Sequence, residues 1–211
     1  MQTNELIRGI VADLPTPTGS VAKILTVSLS LSLIFSTAVM FLWLGPRPEL
    51  GEAMRSTPFW IKAGYTFMIG SAGLFAIERL GRPGATAASS FAILAVTIAV
   101  LALSAGAEIA MAPPSERHQL WLGNSSSICP WVIAVLSLPL LVGAFLALRR
   151  LAPTHYAIAG AAAGLMAGGY GACIYSLHCT EYALSFLVTW YTFGVLLVAA
   201  VGALFSRLLR W

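Results

Sequence analysis

Charge is what this sequence has least of. Charged side chains make up 9% of its 211 residues, against about a quarter in soluble globular proteins. With 58% hydrophobic residues and a mean hydropathy of +0.85, an ordinary water-soluble fold is excluded and an integral membrane protein is implied. Nucleic-acid binding is excluded too. The twelve Lys and Arg, set against eight acids, come as pairs between apolar runs rather than in one patch or stripe. Metal and redox signatures are equally sparse. Three cysteines and three histidines form no C-x-x-C, H-x-x-x-H or H-E-x-x-H, which argues against a dedicated structural zinc site.

What is present is long apolar runs. A bilayer core needs about 20 apolar residues per helical crossing, and six runs qualify: Val21–Leu44, Phe59–Ile77, Ala87–Ala110, Ile128–Leu148, Tyr156–Leu177 and Ala183–Phe205. The first follows a polar stretch and ends in WLGPRP without an A-x-A site, so it reads as a retained helix rather than a cleaved signal. The expected fold is all-α, with residues 1–20 forming an N-terminal segment and residues 21–211 a six-helix transmembrane domain. Arg8, Lys23, Arg79, Arg82, Arg149, Arg150, Arg207 and Arg210 fall on one side, and Arg47, Arg55, Lys62 and Arg117 on the other. The positive-inside rule makes both termini cytoplasmic.

That orientation puts SSSICPW, with Cys129, and SLHCTEY, with Cys179, on the extracytoplasmic face, where disulfides persist. The fourth and fifth runs are joined by RRLAPTHY and should be antiparallel neighbours. Counting from that link, Cys129 and Cys173 each lie 20 residues away and Cys179 lies 26. At 1.5 Å per residue, Cys179 overshoots Cys129 by about 9 Å, beyond the roughly 7 Å Cα limit of a disulfide. Height alone favours Cys173. We nonetheless take Cys129 and Cys179 as the candidate pair, which requires tilt, unwinding near GGYG at 168–171, or a returning turn. Cys173, between Ala172 and Ile174, reads as a buried filler. His178, Glu181, His118 and either Glu116 or Glu108 share the face of Cys129 and Cys179, a set of ligand types that suits a thiophilic metal. The spacing is weak evidence for a metal centre. An opportunistic attack on the thiols by metal or oxidant fits better.

Other polar residues carry blander expectations. Glu108 reads as a solvated or hydrogen-bonded helix end, and Lys62 as a snorkelling side chain. Ser28, Ser30, Ser32 and Ser36 read as hydroxyls bonding within or between helices. Gly160, Gly164 and Gly168 with Ala172 form a small-residue stripe that admits a close helical neighbour. No nucleophile and base stand together, so neither enzymatic activity nor a cofactor is implied.

The segment MQTNELIRGIVADLPTPTGS places Leu6, Ile7, Ile10, Val11 and Leu14 on one side of a short helix that Pro15 and Pro17 end. A dozen residues are marginal as a free helix, so this face should order against a partner. Its slight negative charge favours a protein groove over anionic lipid.

The chain resembles the NrsF-like negative regulators of extracytoplasmic-function (ECF) sigma factors. The likeness rests on ELIRGIVADLP, on GPRPEL and TPFWIKAGYT after the first run, on SICP and SLHCTE, and on LFSRLLRW at the end. It implies a six-helix anti-sigma factor of the bacterial inner membrane. The N-terminal segment would help hold an ECF sigma factor, and Cys129 and Cys179 would respond to oxidant or heavy-metal stress. Two other classes use the same features, a membrane thiol/quinone oxidoreductase and a small metal transporter.

Overall fold

A computed structural model describes residues 21–81, 86–150 and 153–209. The N-terminal face formed by Leu6, Ile7, Ile10, Val11 and Leu14 lies outside the described residues. Among those described there is no strand. The architecture is six long helices: α1 (Val21–Trp43), α2 (Thr57–Leu80), α3 (Ala88–Met111), α4 (Cys129–Leu148), α5 (Tyr156–Tyr175) and α6 (Leu184–Leu209). Pro58 and Pro130 sit in the first turns of α2 and α4, where a missing N–H costs nothing. A nine-residue helix, Pro114–Leu122, lies between α3 and α4.

Five of the six (α1, α3, α4, α5 and α6) are long and apolar enough to cross a membrane. The sequence pattern led us to expect six such helices. At 24 residues α2 has the length, but it takes in Lys62, Glu78 and Arg79, and these charges set its composition apart from the others.

The core gathers around α5, whose span is 72% buried, against 11% for α1 and 17% for α3. It packs on α6, α2 and α4, while α1 lies on α4 and α3 on α2 and the start of α6. Small residues make this possible. Gly160, Gly164 and Gly168 face α6: a Cβ on Gly164 would strike the backbone of Val198 and Ala199, and one on Gly168 would lie 3.0 Å from Val195 Cα. Gly169 abuts the backbone of Gly70 on α2, and Gly171 abuts Ser137 on α4. Helix α1 is attached by hydroxyls, with Ser28 donating to the Gly143 carbonyl at 2.9 Å and Ser36 to that of Leu136.

The loops form two ends. At one, the Arg47 N–H donates to the Leu177 carbonyl at 3.2 Å and the Asn124 N–H to Glu181 at 2.7 Å. At the other, Arg149 donates to the Leu208 carbonyl at 2.9 Å. We call these the Cys179 end and the opposite end.

Overpacking at Gly164 should be costly. Gly164→Val is expected to destabilise the detergent-solubilised protein by about 1–3 kcal/mol. Gly106→Ala, where an added Cβ meets open space, should leave the melting temperature unchanged. Equal melting temperatures for both variants would contradict the assigned α5–α6 contact.

Candidate functional site

At the Cys179 end, α5 ends at Tyr175 in a tightened last turn, 176–178, and an irregular stretch leads to the start of α6 at Leu184. The N–H groups of His178 and Cys179 both donate to the Tyr175 carbonyl at 3.0 Å. Residues 176–178 thus continue α5 by about one tightened turn, and the backbone leaves helical geometry only at Cys179. Cys179 is 3% exposed and Cys129, the first residue of α4, is 0% exposed. Both are free thiols in the same core cluster, within electrostatic range of one another and of Lys62 and Glu181.

Two tyrosines wall this chamber. The Tyr175 hydroxyl is within hydrogen-bonding reach of both sulfurs. Tyr191 is fully buried, with its hydroxyl beside Cys179. The two rings lie 5.7 Å apart, centroid to centroid. Tyr191 closes a π-helical turn, Leu187–Tyr191, inside α6. Such turns insert an extra residue into the helix and are frequent at functional sites.

Lys62 does not snorkel. It is 3% exposed, and its ammonium donates to the carbonyls of Cys179 at 2.9 Å and Glu181 at 2.7 Å. The physical reason is the turn itself: a non-helical backbone inside the bundle has carbonyls that need donors, and Lys62 supplies them. Acids brace the same region. Glu108 at the end of α3 accepts from the N–H groups of Leu184 and Ser185 at 3.1 and 2.9 Å, capping α6 where the helix dipole favours an anion. Glu181 accepts from the Asn124 N–H at 2.7 Å. Gly123 permits this with φ 54° and no Cβ, since a Cβ there would meet the Glu181 carboxyl.

The other metal candidates are turned to different uses. His178 donates from Nδ1 to the Gly45 carbonyl at 2.9 Å, and His118 stands exposed on Pro114–Leu122 with Glu116. Among the described residues, no three His, Cys, Asp or Glu side chains gather as metal ligands. The site's chemistry is that of a two-thiol pair. Cys173 faces elsewhere: its thiol approaches the Ala63 carbonyl at 3.9 Å and lines a cleft of about 630 Å³ bordered by α1, α2 and α5. It sits on the α2 side of α5.

Residues 10–211 match the family model described as negative regulator of sigma F. The chain belongs to the NrsF family. It is 39% identical over 219 residues to the anti-sigma-F factor NrsF of Caulobacter vibrioides (strain NA1000 / CB15N), covering 100% of both chains. It is 38% identical over 179 residues to the probable anti-sigma-F factor NrsF of Azospira oryzae (strain ATCC BAA-33 / DSM 13638 / PS), covering 83% of each. No solved structure matches it. The family resemblance read from the cysteine motifs and the two chain ends is therefore correct.

Sequence reasoning missed the inward Lys62, the two tyrosines and a buried Arg47, which is 4% exposed. Lys62 is the fourth residue of its apolar run, near the edge, so the sequence carried no signal of its inward course. Replacing it tests the brace. Lys62→Met leaves two buried carbonyls without a donor, a loss of about 1–3 kcal/mol. Maleimide labelling of Cys179, read cysteine by cysteine by mass spectrometry, should accelerate about tenfold for each 1.4 kcal/mol lost. An unchanged rate would contradict the brace.

Proposed function

We propose that this chain is an inner-membrane anti-sigma factor that holds an ECF sigma factor through its N-terminal segment and releases it when Cys129 and Cys179 react. The observation that carries the regulatory reading is membership of the sigma-F regulator family across residues 10–211, joined by whole-length likeness to a curated anti-sigma-F factor. The sensing half is supported by two buried free thiols, one at the start of α4 and one on the turn between α5 and α6.

In this reading all six long helices cross the membrane with both termini in the cytoplasm. The distribution of cations supports it. At the Cys179 end Arg47 and Lys62 are buried, leaving Arg55 and Arg117 exposed, whereas Arg79, Arg149, Arg150 and Arg207 at the opposite end are all exposed. Positive charge therefore concentrates on one side, the side that the positive-inside rule makes cytoplasmic. The thiol pair then faces the periplasm.

A hydroperoxide would act in two steps. One sulfur attacks the peroxide oxygen, giving a sulfenic acid and an alcohol; the second sulfur displaces water and forms the disulfide. A thiophilic ion such as cadmium would instead bind both sulfurs as thiolates and release two protons. Either event draws the start of α4 toward the α5–α6 turn. Because α5 meets α6 backbone to backbone at Gly160 and Gly164, a shift at one end is transmitted along stiff neighbours to the sigma-holding face. A coupling of about 1–3 kcal/mol changes sigma occupancy some 5–150-fold.

Two measurements test this. A Cys129→Ser, Cys179→Ser double variant should keep its sigma factor on the membrane under hydroperoxide or cadmium; release equal to the parent's would contradict the sensor assignment. Deleting residues 1–17 should free the sigma factor without any stimulus, read by co-purification. Undiminished retention would contradict the holding role of that segment. Quinone reduction or metal flux by the purified protein would support the oxidoreductase or transporter instead.

A further inference from the structure

The Cys179 end buries two cations, Arg47 and Lys62, and among the described residues no acid forms an ion pair with either. Arg47 is 4% exposed. Its Nη2 donates to the Tyr182 hydroxyl at 2.5 Å and its guanidinium lies 4.9 Å from that ring's centroid, while Nε and Nη1 have no partner. Those two nitrogens lie on different edges of the planar guanidinium, so each edge keeps an open donor. Lys62, close enough to Arg47 for the two charges to repel, spends two of its three ammonium donors on backbone carbonyls. Of the acids at this end, Glu49, Glu52 and Glu116 are exposed to solvent, and the two less exposed ones are held by other groups. Glu181 is held by the Asn124 N–H and, at 3.4 Å, by the Ser125 hydroxyl, and Glu108 is held by Leu184 and Ser185. Burying unpartnered charge and open donors is expensive, and an anion at the guanidinium relieves both costs.

The surroundings indicate which anion. Trp43, Trp60, Trp121 and Trp131, between 44% and 61% exposed, all lie near this end of the bundle. Exposed tryptophans of this kind settle at the headgroup level of a bilayer, the depth at which phosphodiesters stand. A planar guanidinium with open donors on both edges fits an oxyanion with several acceptor oxygens better than a spherical halide.

We propose that Arg47, backed by the charge of Lys62, binds a phosphate-type oxyanion between the loop at 45–49 and the turn at 176–182. The anion comes from an anionic phospholipid headgroup or from free phosphate. Both residues also grip the turn that carries Cys179, Arg47 through the Leu177 carbonyl and Tyr182, and Lys62 through Cys179 and Glu181. A bound anion therefore braces that turn. The site does not depend on the sigma-factor reading and can be tested without a sigma factor.

The test uses the full chain in nanodiscs of phosphatidylcholine, with or without phosphatidylglycerol, in chloride or inorganic phosphate at constant ionic strength. Melting temperature and the rate of maleimide labelling at Cys179 are read in each. The parent should melt higher and label severalfold more slowly when phosphatidylglycerol or phosphate is present. Arg47→Gln should abolish both responses, and Arg117→Gln, at an exposed cation of the same end, should retain them. A response confined to phosphatidylglycerol discs assigns the headgroup, and one confined to phosphate assigns the free anion. The proposal is overturned if the parent responds to neither, if Arg47→Gln responds like the parent, or if both variants lose the response equally. Should Arg47→Gln fail to fold, titrations of the parent in lipid-free detergent with phosphate and, separately, with short-chain phosphatidylglycerol decide: a saturable rise in melting temperature with either supports the site, and no rise with both overturns it.

Discussion

Apolar helices surrounded by lipid gain little by leaving it for one another, so a bundle of this kind rests on how closely its backbones approach. In this chain that closeness is concentrated on α5. Glycines on three of its sides admit α6, α2 and α4 to backbone contact, and the other helices are arranged around that packing. The consequence is mechanical as well as energetic. Close-packed helices have few intermediate arrangements, so a displacement at one end is passed on rather than absorbed.

The Cys179 end shows what such packing demands of polar groups. Once α5 stops at Tyr175, the irregular backbone exposes carbonyls inside the bundle, and Lys62 reaches in to satisfy them. Cys179 shares a buried cluster with Cys129, Tyr175 and Tyr191. Burial excludes water from both sulfurs. An oxidant or metal cannot reach them as they lie, so the reactivity of such a pair depends on opening of the turn. That is the behaviour expected of a regulator, which must stay quiet until challenged, rather than of a catalyst that turns over continuously. The π-turn that ends at Tyr191 marks where α6 is least regular, next to that chamber.

Much of this was legible in the sequence, and the remainder was hidden for identifiable reasons. Apolar run length gave the long helices to within a few residues, with α2 departing through its charges, and four-residue spacing gave the glycine stripe. Which helix fills the stripe is tertiary information that a single sequence does not carry. The height count set Cys179 above Cys129, and only the fold shows that both sulfurs nonetheless share one buried cluster within electrostatic range of each other. Glu108 was legible as a hydrogen-bonded helix end; its partners, the first N–H groups of α6, were not. Lys62 was misjudged, and the burial of Arg47 passed over, because charge near a helix end normally seeks water, and only the fold reveals carbonyls and a tyrosine waiting inside. The metal set failed to assemble because His178 and Glu181 are turned toward backbone groups of adjoining loops.

The account joins a thiol pair at one end to a change at the other through α5. Its most direct test is a pulsed-EPR distance between orthogonally attached spin labels at Arg150 and Arg207, both exposed at the opposite end, before and after oxidation of Cys129 and Cys179. The account predicts a shifted distance distribution on oxidation and no shift in Cys129→Ser. Identical distributions in both redox states, with the sigma factor nonetheless released, would contradict it.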